Sequence, residues 1–134
     1  MKILIIVPTY NEKENIGELI RTIRSETNGS DLDILVVDSA STDHTAAAVA
    51  GMQARDSRIF LLEQSAKLGL GAAYQEGMRW ALDRSYDRIV TMDADGQHDP
   101  KEIPSFLLAL DEHDIAFGSR KAPKSMPGVL KFGN

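Results

Sequence analysis

Two carboxylates one residue apart, Asp93 and Asp95, begin the densest run of chemically capable side chains in the chain, and Gly96, Gln97, His98, Asp99 and Pro100 follow at once. Carboxylates this close repel unless a cation lies between them and an anion. Hard oxygen ligands suit Mg²⁺ or Mn²⁺, which usually hold substrate phosphates as well. The plainer alternative is an acidic turn in which Asp99 merely caps a helix. Residues 88–92 (Arg-Ile-Val-Thr-Met) read as a buried strand leading into the run. After it, Asp99 can cap, Pro100 fits a first helical position and Glu102 stands where a capping-box partner belongs. Both carboxylates therefore belong at the carboxyl end of a strand, the edge where open α/β sheets bind ligands.

Four more groups offer chemistry. Pro8 and Tyr10 give a rigid turn and an aromatic face, although Tyr10 can equally be core packing. Asp38 ends an aliphatic run, where it either accepts hydrogen bonds from a base or ribose or caps the strand end. Lys67, beside Gly69 and Gly71 at a helix start, can meet an anion through its charge and the backbone N–H groups. Arg120 can pair with a phosphate through both arms of its guanidinium, or lie as a surface arginine. His98 either joins a metal or is solvated beside the capping Asp99. No Walker loop, no G-x-G-x-x-G after the first strand, no G-x-S-x-G and no Ser-His-Asp spacing occurs, which argues against an ATPase, a dehydrogenase and a serine hydrolase.

The elements that must position these groups alternate. Residues 3–7, 32–37, 58–62, 88–92 and 114–118 read as strands. Between them, Ile16, Leu19, Ile20 and Ile23 recur at helical spacing, an Ala-rich helix runs from a Ser41 cap to about Arg55, and Leu70, Ala73, Tyr74, Gly77, Met78 and Ala81 share a helix side. Ile103, Phe106, Leu107 and Leu110 mark one more helix. This predicts an α/β fold, a mostly parallel sheet covered by helices on both faces. Right-handed crossovers would bring the polar clusters at 9–12, 38–43, 67–71, 93–97 and 119–120 to one sheet edge.

With 134 residues there is material for one domain and a real core. A net charge of −5 gives no electrostatic footprint for nucleic acid. The absence of cysteine excludes a disulfide, a zinc-thiolate site and a thiol nucleophile, and fits a cytoplasmic protein. The apolar start is a five-residue run ended by Pro8, a first strand rather than a leader. Asn28-Gly29-Ser30 reads as a turn. Residues 121–134 hold Lys121, Lys124 and Lys131 with Pro123, Pro127, Gly128 and Gly133, so a basic, flexible tail is expected beyond a core of residues 1–120.

Five segments occur in order: Val7-Pro8-Thr9-Tyr10-Asn11-Glu12, Ile34-Leu35-Val36-Val37-Asp38, residues 67–74 (Lys-Leu-Gly-Leu-Gly-Ala-Ala-Tyr), residues 92–100 and Gly118-Ser119-Arg120. Together they resemble the family 2 glycosyltransferases of the GT-A fold, the nucleotide-diphospho-sugar transferase type, and within them the dolichol-phosphate or polyprenol-phosphate mannose synthases. The resemblance implies an inverting transfer of a sugar, mannose in the first instance, from a nucleotide diphosphate sugar such as GDP-mannose to a lipid phosphate, with Mg²⁺ or Mn²⁺. It places a metal on Asp93, Asp95 and Gln97. It places the nucleotide sugar on Pro8, Tyr10, Glu12, Val37, Asp38, Lys67, Asp93, Ala94, Asp95 and Arg120, and gives Asp95 and Arg120 the catalytic roles. A lipid acceptor further implies peripheral contact with the cytoplasmic membrane face. The alternatives are transfer to a saccharide hydroxyl, which needs a general base, and a non-catalytic nucleotide-sugar or metal-binding module. Two features depart from the family pattern. Asp38-Ser39-Ala40-Ser41 stands where the family reads Asp-Asp or Asp-Gly before a serine, so one acidic contact is lost. The chain also stops soon after Arg120, which leads to the expectation of a core truncated at its C-terminus.

Overall fold

In the computed structural model, residues 1–28, 30–119 and 128–131 are described. The elements are β1 (Ile3–Thr9), α1 (Lys13–Glu26), β2 (Leu32–Asp38), α2 (Thr45–Gln53), β3 (Ile59–Glu63), α3 (Leu70–Asp83), β4 (Arg88–Thr91), α4 (Ile103–Glu112), β5 (Ala116–Ser119) and β6 (Gly128–Lys131). One turn of 3₁₀ helix, Pro100–Glu102, leads into α4.

β1 to β4 form one parallel sheet in the order β3-β2-β1-β4. The strands alternate their faces, and the core follows that alternation. Ile5, Val7, Ile34 and Val36 pack with Ile16, Ile20, Ile23, Val49 and Ile103 from α1, α2 and α4. Leu4, Ile6, Leu35 and Val37 pack with Ala73 and Ala81 of α3 on the other face. Burial on both faces is the physical reason that β1 and β2 are continuous aliphatic runs.

The order of the strands creates the crevice. The chain steps outward from β1 to β2 to β3, and then α3 carries it back so that β4 lies on the other side of β1. This reversal is a topological switch point, where doubly wound sheets open a cleft beyond the strand ends. The seat of α3 is close. A Cβ at Gly77 would lie 2.8 Å from Ile6 Cγ2 and 3.3 Å from Val37 Cγ2.

Three features differ from the sequence expectation. The fifth strand does not join the parallel sheet: β5 pairs antiparallel with β6, which falls at 128–131 within the segment expected to be an irregular tail. Ser41 does not cap α2. The cap position is His44, in the left-handed region at φ 71°, and the Ser41 hydroxyl instead donates to Asp38 Oδ1 at 2.6 Å. α2 also ends at Gln53 rather than Arg55. By contrast Asp99 caps as expected, its Oδ1 accepting from the Lys101 N–H at 3.0 Å ahead of Pro100. Gly29, Arg120, Lys121, Pro123, Lys124, Pro127 and Gly133 lie outside the described residues.

Candidate active site

The carboxyl ends of β1 and β2 are tied into one unit. Thr9 Oγ1 donates to Asp38 Oδ1 at 2.7 Å, the Ser41 N–H reaches Asp38 Oδ2 at 3.0 Å, and the Ser39 N–H donates to the Thr9 carbonyl at 2.9 Å. The loop after β2 also caps α1. Lys13 N–H donates to Asp43 Oδ2 at 3.1 Å and Glu12 N–H to Thr45 Oγ1 at 3.0 Å, while Asn11 Oδ1 accepts from Thr42 N–H at 2.9 Å. Free N–H groups at the start of α1 are thus satisfied from the loop after β2 and the first residue of α2 rather than by a local cap. The Thr45 hydroxyl, donating to Asp43, with the N–H bonds behind it, holds the Asp43 carboxyl below the ordinary carboxylate value. Asn11, Ala40 and His44 have positive φ on this edge, a concentration of strained non-glycine backbone typical of functional loops.

The loop after β4 is held from both sides. Tyr74 of α3 donates its hydroxyl to Asp93 Oδ1 at 2.6 Å. The Asp93 N–H donates to His98 Nδ1 at 2.8 Å, so the proton of the neutral ring resides on Nε2. His98 is therefore neither simply solvated nor free to turn its Nδ1 to a ligand. Asp95 Oδ1 accepts from the Gln97 N–H at 3.0 Å across the left-handed Gly96. Neither carboxylate's Oδ2 accepts a hydrogen bond from the protein, although His98 Nε2 stands 3.8 Å from that of Asp93. Burial, then the bond to Asp93 and the charges of Asp93 and Asp95, push the Tyr74 hydroxyl well above its usual pKa of 10.0, so it stays a donor at neutral pH.

Pro8, Thr9, Tyr10, Glu12, Ser39, Lys67, Gly69, Leu70, Ala73, Asp93, Ala94 and Asp95 line a cavity of about 270 Å³ at the switch point. Seven residues expected from the sequence thus meet: Pro8, Tyr10, Glu12, Lys67, Asp93, Ala94 and Asp95. Tyr10 is 39% exposed, which decides between its two readings in favour of an available ring. Lys67 Nζ lies 3.8 Å from the centre of that ring, a cation–π contact worth about 0.5–1 kcal/mol at an exposed position.

Three expected residues lie elsewhere. Val37 is fully buried on the α3 face and lines no part of the cavity. Asp38 is 2% exposed and is taken up by Thr9 and Ser41. Gln97 lines a second cavity of about 530 Å³ with His98 and Asp99. Arg120 lies outside the described residues. Sequence reasoning missed Ser39 as a lining residue. Its hydroxyl donates to Gln64 Oε1 at 2.6 Å, and the Gln64 amide donates in turn to Glu76. Ser39 therefore offers the cavity a lone pair rather than a proton. It also missed Tyr74, whose helical spacing reads as packing. The one available signal was that a tyrosine facing a sheet edge needs a partner for its hydroxyl.

No three His, Cys, Asp or Glu side chains among the described residues converge on a point that a metal could occupy. The donor set nevertheless fits a hard divalent ion that shares its shell with a ligand's phosphates: two carboxylates, each with one oxygen that accepts no hydrogen bond. The charge points the same way. Among the described residues, Glu12, Asp93 and Asp95 face the cavity against Lys67, a balance that favours a cation between these carboxylates and a polyphosphate.

A model of the Glycosyl transferase family 2 matches residues 4–132. The undecaprenyl-phosphate mannosyltransferase of Micrococcus luteus is 42% identical over 92% of this chain and 50% of its own length. The polyprenol monophosphomannose synthase of Mycolicibacterium smegmatis is 41% identical over 90% of this chain and 45% of its own. The chain thus spans about half the length of these curated relatives. Among solved structures, a mannosyltransferase from Pyrobaculum calidifontis in complex with GDP-Man and Mn²⁺ is similar at TM-score 0.64 and 32% identity, over 75% of this chain and 29% of that one. TarS of S. aureus in complex with UDP is similar at TM-score 0.70 and 22% identity, over 94% of this chain and 39% of that one, a likeness of fold alone.

Proposed function

Because this chain belongs to glycosyl transferase family 2, we propose that it is the nucleotide-sugar half of an inverting mannosyltransferase that uses GDP-mannose and a polyprenyl phosphate. The observation that carries the reading is the cavity at the switch point, which gathers Asp93 and Asp95 from β4 with Tyr10, Glu12 and Lys67 from two other strand ends. The relatives named for polyprenol-phosphate mannosyl transfer, and the neighbour solved with GDP-Man and Mn²⁺, support this choice of sugar, base and acceptor.

Pro8, Tyr10, Glu12 and Ser39 then flank the nucleoside, and Lys67 leaves the Tyr10 ring for the diphosphate. Asp93 and Asp95 would hold Mg²⁺ or Mn²⁺ through their Oδ2 oxygens. Bound there, the ion would neutralise charge developing on the departing diphosphate. A phosphate oxygen of the acceptor forms a bond to the anomeric carbon from the face opposite the diphosphate. The bond to the diphosphate breaks, GDP leaves, and the configuration inverts. That oxygen is already anionic, so the step needs positioning more than a general base. In this scheme Arg120, which the resemblance makes a phosphate contact, would add to the neutralisation of the diphosphate, and the basic residues after it would serve the acceptor. A lipid acceptor brings the reaction to a membrane surface, and the contact is proposed to be peripheral. No helix among the described residues is long and apolar enough to cross a membrane.

The test is to supply labelled GDP-mannose, Mn²⁺ and undecaprenyl phosphate, and to follow the label into the lipid fraction. Labelled lipid that requires Mn²⁺ is expected. Label that appears on an added saccharide and not on the lipid would overturn the acceptor, and binding without any transfer would leave a non-catalytic module.

A further inference from the structure

We infer that Tyr74 is the positioning residue of the site: its hydrogen bond to Asp93 Oδ1 fixes which carboxylate oxygen faces the metal and nucleotide. The inference rests on the reading of Asp93 and Asp95 given above. An aspartate's terminal torsion is broad and nearly two-fold, so an untethered carboxylate presents either oxygen over a range of angles. Asp93 is denied that freedom. The Tyr74 hydroxyl holds Oδ1 at 2.6 Å and His98 holds the Asp93 N–H at 2.8 Å, so Oδ2 is kept in a set direction, without a hydrogen bond and with His98 Nε2 3.8 Å from it.

The position of Tyr74 is itself set by packing. Ala73 is fully buried, and Gly77, one turn further along α3, brings the helix into contact with Ile6 and Val37. The hydroxyl thus reaches the β4 loop from a helix pressed against the sheet. Groups that orient a ligand residue in this way commonly change metal affinity by about 10- to 100-fold when removed.

The molecule contains its own control. Tyr86 donates its hydroxyl to Asp33 Oδ2 at the same 2.6 Å, but Asp33 is the second residue of β2, at the end of the sheet away from the cavity. Tyr74→Phe and Tyr86→Phe therefore delete the same kind of bond at opposite ends of the sheet.

The experiment is calorimetric titration of GDP with and without Mn²⁺ on the wild-type chain and both variants, with the thermal midpoint of each as a check of folding. Tyr74→Phe is expected to weaken Mn²⁺-dependent GDP binding about tenfold or more and to leave metal-free binding unchanged. Tyr86→Phe is expected to change neither. Equal loss with and without Mn²⁺ in Tyr74→Phe, or no loss, would overturn the positioning role, as would the same Mn²⁺-dependent loss in Tyr86→Phe. Should Tyr74→Phe not fold, Tyr74→His, which keeps a ring donor, takes its place, and retention of more Mn²⁺-dependent affinity than in Tyr74→Ala is then required. A wild-type chain whose GDP binding ignores Mn²⁺ would refute the metal reading itself, a separate result.

Discussion

Thr9 and Asp38, which end two neighbouring parallel strands, are joined by a buried 2.7 Å hydrogen bond from the threonine hydroxyl to Asp38 Oδ1. The same oxygen accepts from the Ser41 hydroxyl, and Oδ2 accepts from the Ser41 N–H. Asp38 thereby holds the floor of the cavity together, and the cavity wall at that point is Ser39.

Asp38→Ala should accordingly show first as a loss of stability. It strands the buried Thr9 hydroxyl and frees the Ser41 turn, at a cost of about 1–3 kcal/mol for unsatisfied buried groups. Urea denaturation measures it. Unchanged stability with a specific loss of nucleoside diphosphate affinity would instead make Asp38 a direct ligand contact.

Glycines in two helices should respond in opposite senses. At Gly77 an added methyl meets Ile6 Cγ2 at 2.8 Å, and overpacking of about 1–3 kcal/mol outweighs the roughly 1 kcal/mol that alanine gains in a helix. At Gly51, in the last turn of α2, the added carbon meets nothing within 4 Å, so Gly51→Ala should stabilise by about 0.5 kcal/mol. Denaturation midpoints of the two variants check both signs, and stabilisation by Gly77→Ala would mean that α3 sits less tightly than described.

The parallel core was legible because burial on both faces leaves a plain mark: unbroken aliphatic runs at β1 and β2. The Asp93 loop was legible because a strand, two spaced carboxylates and an Asp-Pro helix start fall in one stretch. What escaped depends on partners far apart in the chain. Tyr74 and Asp93 are 19 residues apart, Ser39 and Gln64 25, and neither period nor motif encodes such pairs. Ser41 has the composition of a local cap, yet Asp38, three residues earlier, claims its hydroxyl. β5 has the apolar character of a sheet strand, but pairing with β6 takes it out of the parallel sheet.

Alkaline titration should expose the tyrosine–aspartate bonds. Burial, then the Asp33 bond and charge, raise the Tyr86 hydroxyl well above 10.0 in the folded chain. The unfolded chain then releases that proton first, so the stabilisation is complete below pH 10 and declines as pH rises toward the folded value. Urea midpoints between pH 9 and pH 11 should fall less steeply in Tyr86→Phe than in the wild-type chain. Identical slopes would show that the bond to Asp33 does not perturb the group.

The most direct measurement is calorimetric binding of GDP-mannose to the wild-type chain and to Asp95→Ala, each with and without Mn²⁺. Among the described residues three carboxylates and one lysine line the cavity, so a diphosphate should need the cation. The account predicts Mn²⁺-dependent binding in the wild-type chain and loss of that dependence in a folded Asp95→Ala variant. Equal affinity with and without Mn²⁺ in the wild-type chain, or unchanged Mn²⁺-dependent affinity in Asp95→Ala, would contradict it.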